Sequence, residues 1–217
     1  MTVFNLSERP SVANRFLSEL RDINIQKDRM RFRRNMERLG EVLAYELSKS
    51  LPHQPRTVET PLGQDTTMIP DGNMVIATIL RAGLPLQQGV LNYFDEAAGA
   101  FVSAYRMHHK SGGFEIKLEY ISCPDLNGCT LVLTDPMLAT GASAVLALKE
   151  LMVFGKPASV HLVTAIASTQ GLEYLQRMYP YVHVWMGALD EELTAKSYIV
   201  PGLGDAGDLS FGPKLQE

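Results

Sequence analysis

Cysteine, tryptophan and long apolar runs are what this chain has little of. Its two cysteines, Cys123 and Cys129, are too few for a disulfide framework and have no nearby histidine to complete a metal site, so they read as reduced thiols. No stretch approaches the roughly 18 apolar residues of a membrane span, and the opening MTVFNLSERP lacks the charged-then-apolar pattern of a secretory signal. These absences predict a cytoplasmic protein with no membrane partner. A net charge of only -4 gives no general pull toward nucleic acid, so any anionic ligand must be held by local groups. Internal repeats and low-complexity linkers are also missing, and with apolar residues at 46% and charged residues at 20% neither disorder nor a fibrous repeat is indicated.

What is present is enough chain, 217 residues, for one domain over 1–217 with a substantial core. Residues 1–50 or so read as helices: SVANRFLSELRD, then Gln26 to Ser50, where Phe32, Met36, Leu39, Leu43 and Leu47 recur at three- and four-residue spacing. That second helix also carries Lys27, Arg29, Arg31, Arg33, Arg34 and Arg38. Nucleic acid or nucleotide phosphate is one reading of the cluster; the interleaved Asp28, Glu37 and Glu41 favour a solvated face or a subunit contact.

From about residue 57 to 190 the pattern changes to short strands: TVETPL, MVIATIL, GAFVSAYR, FEIKLEYIS, TLVLTD, SVHLVTAIAS and YVHVWMGALD. Helical stretches at Pro85 to Phe94, Gly141 to Phe154 and Thr169 to Met178 alternate with them, which predicts an open, mainly parallel α/β sheet flanked by helices. FEIKLEYIS follows HHKSGG with no room for a helix, so residues 101–122 should form an antiparallel hairpin. Adjacent His108 and His109 would point apart on a strand and are read as solvated loop residues rather than metal ligands.

The stretch LVLTDPMLATGASA, 131–144, is a strand that ends in an acid and runs through small residues into a helix. Ligands of open α/β sheets bind at the carboxyl ends of such strands. Ala139 to Ser143 offer backbone N–H groups with little obstruction, and hydroxyls from Thr140 and Ser143, at a helix N-terminus that suits a phosphate monoester. It is not a nucleoside-triphosphate loop, because there is no Gly-Lys-Ser/Thr ending and no lysine between Cys129 and Lys149. Asp135, just before the loop, suits the hydroxyls of a ribose whose phosphate the loop holds. A plain strand-to-helix turn with Asp135 as its cap is the alternative.

In the form DPMLATG this stretch resembles the phosphoribosyl pyrophosphate (PRPP) loop of type I phosphoribosyltransferases, the uracil-specific ones in particular. RFRRNMERLGEVLAYEL, ILRAGLP at 79–85 and YIVPGLGDAGDLSFG at 198–212 agree, so the likeness spans almost the whole chain. The resemblance implies the type I phosphoribosyltransferase fold with a β-hairpin arm, N-terminal helices and a C-terminal hood over 191–217. It also implies an enzyme that moves the phosphoribosyl group of PRPP to uracil, giving UMP and pyrophosphate. A regulator on the same fold that binds RNA through the basic helix is the alternative.

By the same likeness PRPP is bound by Arg81, Arg106, Asp135, Pro136, Met137, Leu138, Ala139, Thr140, Gly141, Ala142, Ser143 and Asp205. Asp135 and Arg106 are the catalytic pair, and Ile199, Gly204, Asp205 and Ala206 hold uracil. Arginine suits pyrophosphate because it is always charged and grips oxygens in pairs. Magnesium is implied as cofactor, held mainly through PRPP with no protein cage. GTP is a candidate effector, and an assembly of two or more copies is expected, with the amphipathic N-terminal helices as contact elements. Three positions depart from the family pattern: Ala142 and Pro85 stand where glycine is frequent, and Leu209 where arginine is. If residue 142 needs positive φ, alanine there costs about 1 kcal/mol.

Overall fold

The computed structural model describes residues 2–108 and 114–214, with the side chains of 104–108 and 114–118 outside the description. The chain opens with β1 (Val3–Asn5), α1 (Val12–Arg21) and α2 (Arg29–Ser48). Ser11 and Asp28 cap the two helices, each accepting a bond from a backbone N–H of the first turn. There follow β2 (His53–Thr60), β3 (Gly63–Pro70), β4 (Met74–Leu80), α3 (Gly83–Leu91), β5 (Ala98–His108) and β6 (Phe114–Ser122). The second half comprises β7 (Thr130–Thr134), β8 (Met137–Leu138), α4 (Ala142–Leu151), β9 (Ser159–Ser168), α5 (Thr169–Met178) and β10 (His183–Asp190). It ends with β11 (Glu192–Leu193), β12 (Ile199–Val200) and α6 (Ala206–Phe211).

The central sheet runs β1-β10-β9-β7-β4-β5-β6, parallel throughout except for β6, which pairs antiparallel with β5. This is the open, mainly parallel sheet that the alternating pattern predicts. Its strands are apolar runs because both faces are covered. On β4 and β7, Ile76 and Val132 pack with Leu17, Leu39 and Leu86 of α1, α2 and α3. Their neighbours Val75, Ala77, Leu131 and Leu133 point the other way, onto Leu148 of α4 and Leu175 of α5. From β4 the chain steps to β5 at one side; from β7 it steps through β9 to β10 at the other. The crossovers therefore part between β4 and β7 and leave a crevice at their carboxyl ends.

Several details differ from the sequence reading. TVETPL belongs to a longer β2, which pairs with an unexpected β3 in a separate two-stranded sheet, Thr60 opposite Gly63. Nearly every residue of this hairpin is exposed, so it carries no apolar alternation that could have announced it. β1 and β8 are likewise too short for periodicity. The expected helix Pro85 to Phe94 is Gly83–Leu91, and Gly141 to Phe154 is α4 followed by a turn of 3-10 helix. Pro85 thus falls in the first turn of α3, where a missing N–H costs no helical bond, which accommodates that departure from the family pattern. The hairpin of β5 and β6 is present as expected; His109 lies outside the described residues, as does the side chain of His108.

The basic cluster on α2 is largely spent inside the molecule. Arg31 grips both oxygens of buried Glu19 on α1 at 2.8 Å, and Asn35 donates to the same carboxylate at 2.7 Å. Arg31 first, then Asn35, hold the Glu19 carboxyl down at about 2. Arg34 pairs with Glu37, Arg33 donates to the Ser210 carbonyl, and Arg38 lies over the Phe16 ring. No helix among the described residues is long and apolar enough to cross a membrane.

At the amino ends of β9 and β10, away from the crevice, Trp185 donates its indole N–H to Nδ1 of buried His161 at 3.1 Å. Burial, and the stacked His183 ring 4.9 Å away, press the His161 pKa down to about 4. Protonation would set a second donor against the indole N–H. A depressed folded pKa means that the unfolded chain binds the extra proton first, so this stability is complete above pH 6.5 and is lost between 6.5 and about 4. The size is on the order of 3 kcal/mol. Urea unfolding at pH 7.5 and 5.0 should show a fall that is reduced in His161→Leu; an equal fall in both proteins would refute the assignment.

Candidate active site

The crevice between β4 and β7 opens into a cavity of about 350 Å³, lined among others by Arg81 and Ala82 after β4, Asp135 and Pro136 after β7, and Asp205 and Gly207 of the C-terminal segment. Arg81, Asp135, Pro136 and Asp205, picked from separate parts of the sequence, therefore meet around one space. Ser103, Glu119 and Lys214 also line it and were not anticipated. Ser103 sits at a bulge where the β5–β6 register shifts, and Glu119 is on the facing strand. Which side a residue faces next to a bulge depends on the bulge itself, so periodicity carried no signal for either.

Among the described side chains, the predicted residues have definite local settings. Thr134 is buried and donates to the Ala77 carbonyl at 3.1 Å, tying the end of β7 to β4. Asp135 is buried, its N–H bonded to Val163 of β9, and its carboxylate is 3.5 Å from the Met137 N–H. It is not the helix cap of the alternative reading, because the residue before α4 is Gly141, which makes no side-chain cap. Met137 and Leu138 form β8 beside Ile166 and Ala167 of β9. The Leu138 side chain is in the core, so any contact from it to a ligand would run through its backbone.

The bend of the loop is made by Gly141, at φ 77° and ψ -10°. A Cβ there would also lie 2.8 Å from the Gly171 carbonyl of α5. From behind, Ser168 donates to the Ala139 carbonyl and accepts from the Gly171 N–H, so the loop is held by the start of α5. Ala142 is already the first residue of α4 and Ser143 the second, both half-buried. The left-handed position is therefore 141, and the cost considered for Ala142 does not arise. Thr140 accepts from the Ala142 N–H at 3.4 Å.

Arg81 donates to the Gly212 carbonyl at 3.3 Å and stands 3.5 Å from the Asp208 carboxylate. Asp205 caps α6 by accepting from the Asp208 N–H at 3.0 Å while still lining the cavity. Ile199 and Ala206 are buried in the core, so any contact from Ala206 to a ligand runs through its backbone; Gly204 is exposed, at φ 95°. Leu209, the third departure, packs on the same core. The Arg106 side chain lies outside the described residues, its backbone on β5.

The family model for uracil phosphoribosyltransferase matches residues 7–213. The chain belongs to this family. A relative from Porphyromonas gingivalis named uracil phosphoribosyltransferase is 50% identical over 216 residues, 99% of this chain and 100% of that protein. Another of that name from Pyrococcus furiosus is 35% identical, covering 99% of this chain and 91% of its own length. The solved structure of an Aquifex aeolicus protein superposes with a TM-score of 0.87 at 29% identity, over 99% of this chain and all of that one. The type I phosphoribosyltransferase fold expected from the motifs is thus the fold of this uracil phosphoribosyltransferase family member.

Local conformation gives a sign-sensitive test. Ala142→Gly should destabilise by a few tenths to about 1 kcal/mol, since it loosens a helical turn. A left-handed residue 142 would instead be stabilised by glycine. Gly141→Ala should cost about 1–3 kcal/mol through its φ and its approach to Gly171. Denaturant midpoints of the two variants decide between these assignments.

Proposed function

We propose that the chain catalyses transfer of the phosphoribosyl group from PRPP to uracil, with UMP and pyrophosphate as products. The observation that carries the reading is the meeting of Arg81, Asp135 and Asp205 around one cavity, with Asp135 at the head of the loop that bends at Gly141, in a chain of this family. In the reaction the bond from the sugar's anomeric carbon to pyrophosphate breaks and a bond to the uracil nitrogen forms, with loss of that nitrogen's proton. Positive charge grows on the sugar and negative charge on the leaving group. The work of the protein is therefore to hold and neutralise, with no protein nucleophile.

The roles follow from charge and reach. The N–H groups of Thr140, Gly141 and Ser143 and the hydroxyls of Thr140 and Ser143 wrap the 5′-phosphate, while the Ala139 N–H is taken by the Met137 carbonyl and the Ala142 N–H leans on Thr140. Asp135 receives the ribose hydroxyls and faces the developing cation. Arg81 and Arg106 take the pyrophosphate, for which Arg81 exchanges its hood partners. The segment from Ile199 to Ala206 covers the base. Uracil offers acceptor, donor, acceptor along one edge, which a backbone C=O flanked by N–H groups matches. Cytosine would leave buried groups unpaired at about 1–3 kcal/mol each.

Magnesium belongs to the same reading, and when bound it neutralises charge on the diphosphate. Asp135, Asp205 and Glu119 give the cavity hard oxygen donors, which suit an ion carried mainly by PRPP and water. Among the described residues no three His, Cys, Asp or Glu side chains gather as a metal cage. Cytoplasmic residence suits the two free thiols. A homo-oligomer of two or more copies is part of the reading, with the N-terminal helices as contact elements, and the exposed β2–β3 hairpin, marginal by itself in water, offers a further surface for it. GTP stays a candidate effector. RNA binding gains little, since Arg31, Arg33, Arg34 and Arg38 of α2 already have partners within the chain.

Purified protein with uracil, PRPP and magnesium should form UMP, and cytosine should give at most about a hundredth of that rate. No UMP would sink the proposal. Asp135→Asn should lower kcat/KM on the order of 100-fold with an unchanged melting temperature. Adding GTP to the same assay tests activation, and light scattering reads the oligomeric state.

A further inference from the structure

The hood segment is anchored by residues outside the cavity wall. Asp190, the last residue of β10, is buried, and Arg21, the last residue of α1, grips both its oxygens at 2.8 Å. The same pair holds both backbone groups of Gly202. Asp190 accepts from the Gly202 N–H at 2.9 Å, and Arg21 donates to the Gly202 carbonyl at 3.0 Å. Gly202 has φ 54°, and a Cβ on it would fall into the Ile199 carbonyl, so no other residue could occupy this pinned position without a shift. One residue further on, Gln26 bridges the Leu203 carbonyl at 3.2 Å to the Leu20 carbonyl at 2.8 Å. Arg21, Gln26, Asp190 and Gly202 are all absent from the cavity wall.

We propose that Arg21 and Asp190, with Gln26 beside them, are positioning residues for base recognition: they fix Gly202 and Leu203, and thereby the backbone at Gly204 to Ala206 that reads uracil. This rests on the hood assignment of the preceding subsection. A hydrogen-bond edge is read only when its donors and acceptors stand at the right spacing, and displacement by an ångström costs on the order of 100-fold. A pair that seizes the N–H and the C=O of one residue sets both its position and its rotation. The phosphate loop is held separately, by Ser168 and Gly171, so loosening the pair should act mainly on uracil, PRPP meeting the fixed stretch only through Asp205.

The test is steady-state kinetics on the full chain, with uracil and PRPP varied in turn, and begins with the unaltered protein. If that protein makes no UMP, the functional reading fails; if it does and the variants are flat, only this inference fails. Arg21→Ala should raise KM for uracil about tenfold or more, leave KM for PRPP within about twofold, and narrow the preference for uracil over cytosine. Arg21→Lys, which keeps the charge but loses the two-pronged grip, should lie between. Parallel rises in both KM values, or an unchanged uracil KM in folded protein, would overturn the proposal. Should Arg21→Ala not fold, because Asp190 is left buried and unpaired, Gln26→Met decides. It removes the Leu203 bond without stranding a charge, and the proposal stands on about a threefold rise in uracil KM alone and falls if that KM is unchanged.

Discussion

Strands β4 and β7 are neighbours whose onward connections leave in opposite directions, and the site depends on that one constraint. Where two crossovers part, neither can cover the carboxyl ends below them, so a crevice is left that the rest of the sheet does not have. Into it project the residues that immediately follow each strand, Arg81 on one side and Asp135 on the other. A cation and an acid are thereby set next to each other by backbone hydrogen bonds of the central sheet. The two ends are locked together by Thr134, whose hydroxyl bonds to Ala77 across the gap. A group that must meet a charged ligand with little reorganisation benefits from mounting on such a rigid edge.

The remaining wall of the crevice is supplied by chain from far away in sequence. The segment from Ile199 to Gly212 crosses the opening, and it stays in place because N-terminal residues reach for its backbone: Arg21 and Gln26 at Gly202 and Leu203, Arg33 at Ser210. The arginine-rich helix that could be taken for a nucleic-acid surface is thus mainly a fastening. Arg31 ties α2 to α1 through Glu19, and α1 in turn ends in Arg21. Residues 2–50 and 188–214 are thereby tied into one unit, and the core agrees, with Leu17, Leu39, Ile199 and Leu203 in a single apolar cluster.

This division explains what could be read from the sequence. Asp135 and the loop after it were legible because their chemistry is local: an acid, small residues and a helix start within a few positions. Arg81 and Asp205 needed the family resemblance, since a lone arginine or aspartate carries no pattern. The sheet was legible from apolar runs, whereas the β2–β3 hairpin was not, because HQPRTVET and GQDTTMIP bury neither face. The status of Ala142 required φ at its neighbour, which no composition rule supplies. The Arg21 and Asp190 pair was invisible for a plainer reason, as the partners stand 169 positions apart.

The strengths of the hood's contacts are graded along its length. At the remote end, Asp190 is buried and every oxygen of its carboxylate has a charged or amide partner. Breaking such a pair strands a charge out of water, which is heavily penalised. At the cavity end, Arg81 meets Asp208 at 3.5 Å with both side chains about two-fifths exposed, a kind of ion pair worth about 0–1 kcal/mol. Under the proposed function, a pyrophosphate, which carries more charge than one carboxylate and accepts from guanidinium in pairs, would compete for Arg81 at little cost. The segment is therefore held firmly at Gly202 and Leu203 and loosely at Arg81. On the proposed function, a uniformly tight segment would oppose PRPP, and a uniformly loose one would lose the distinction between uracil and cytosine.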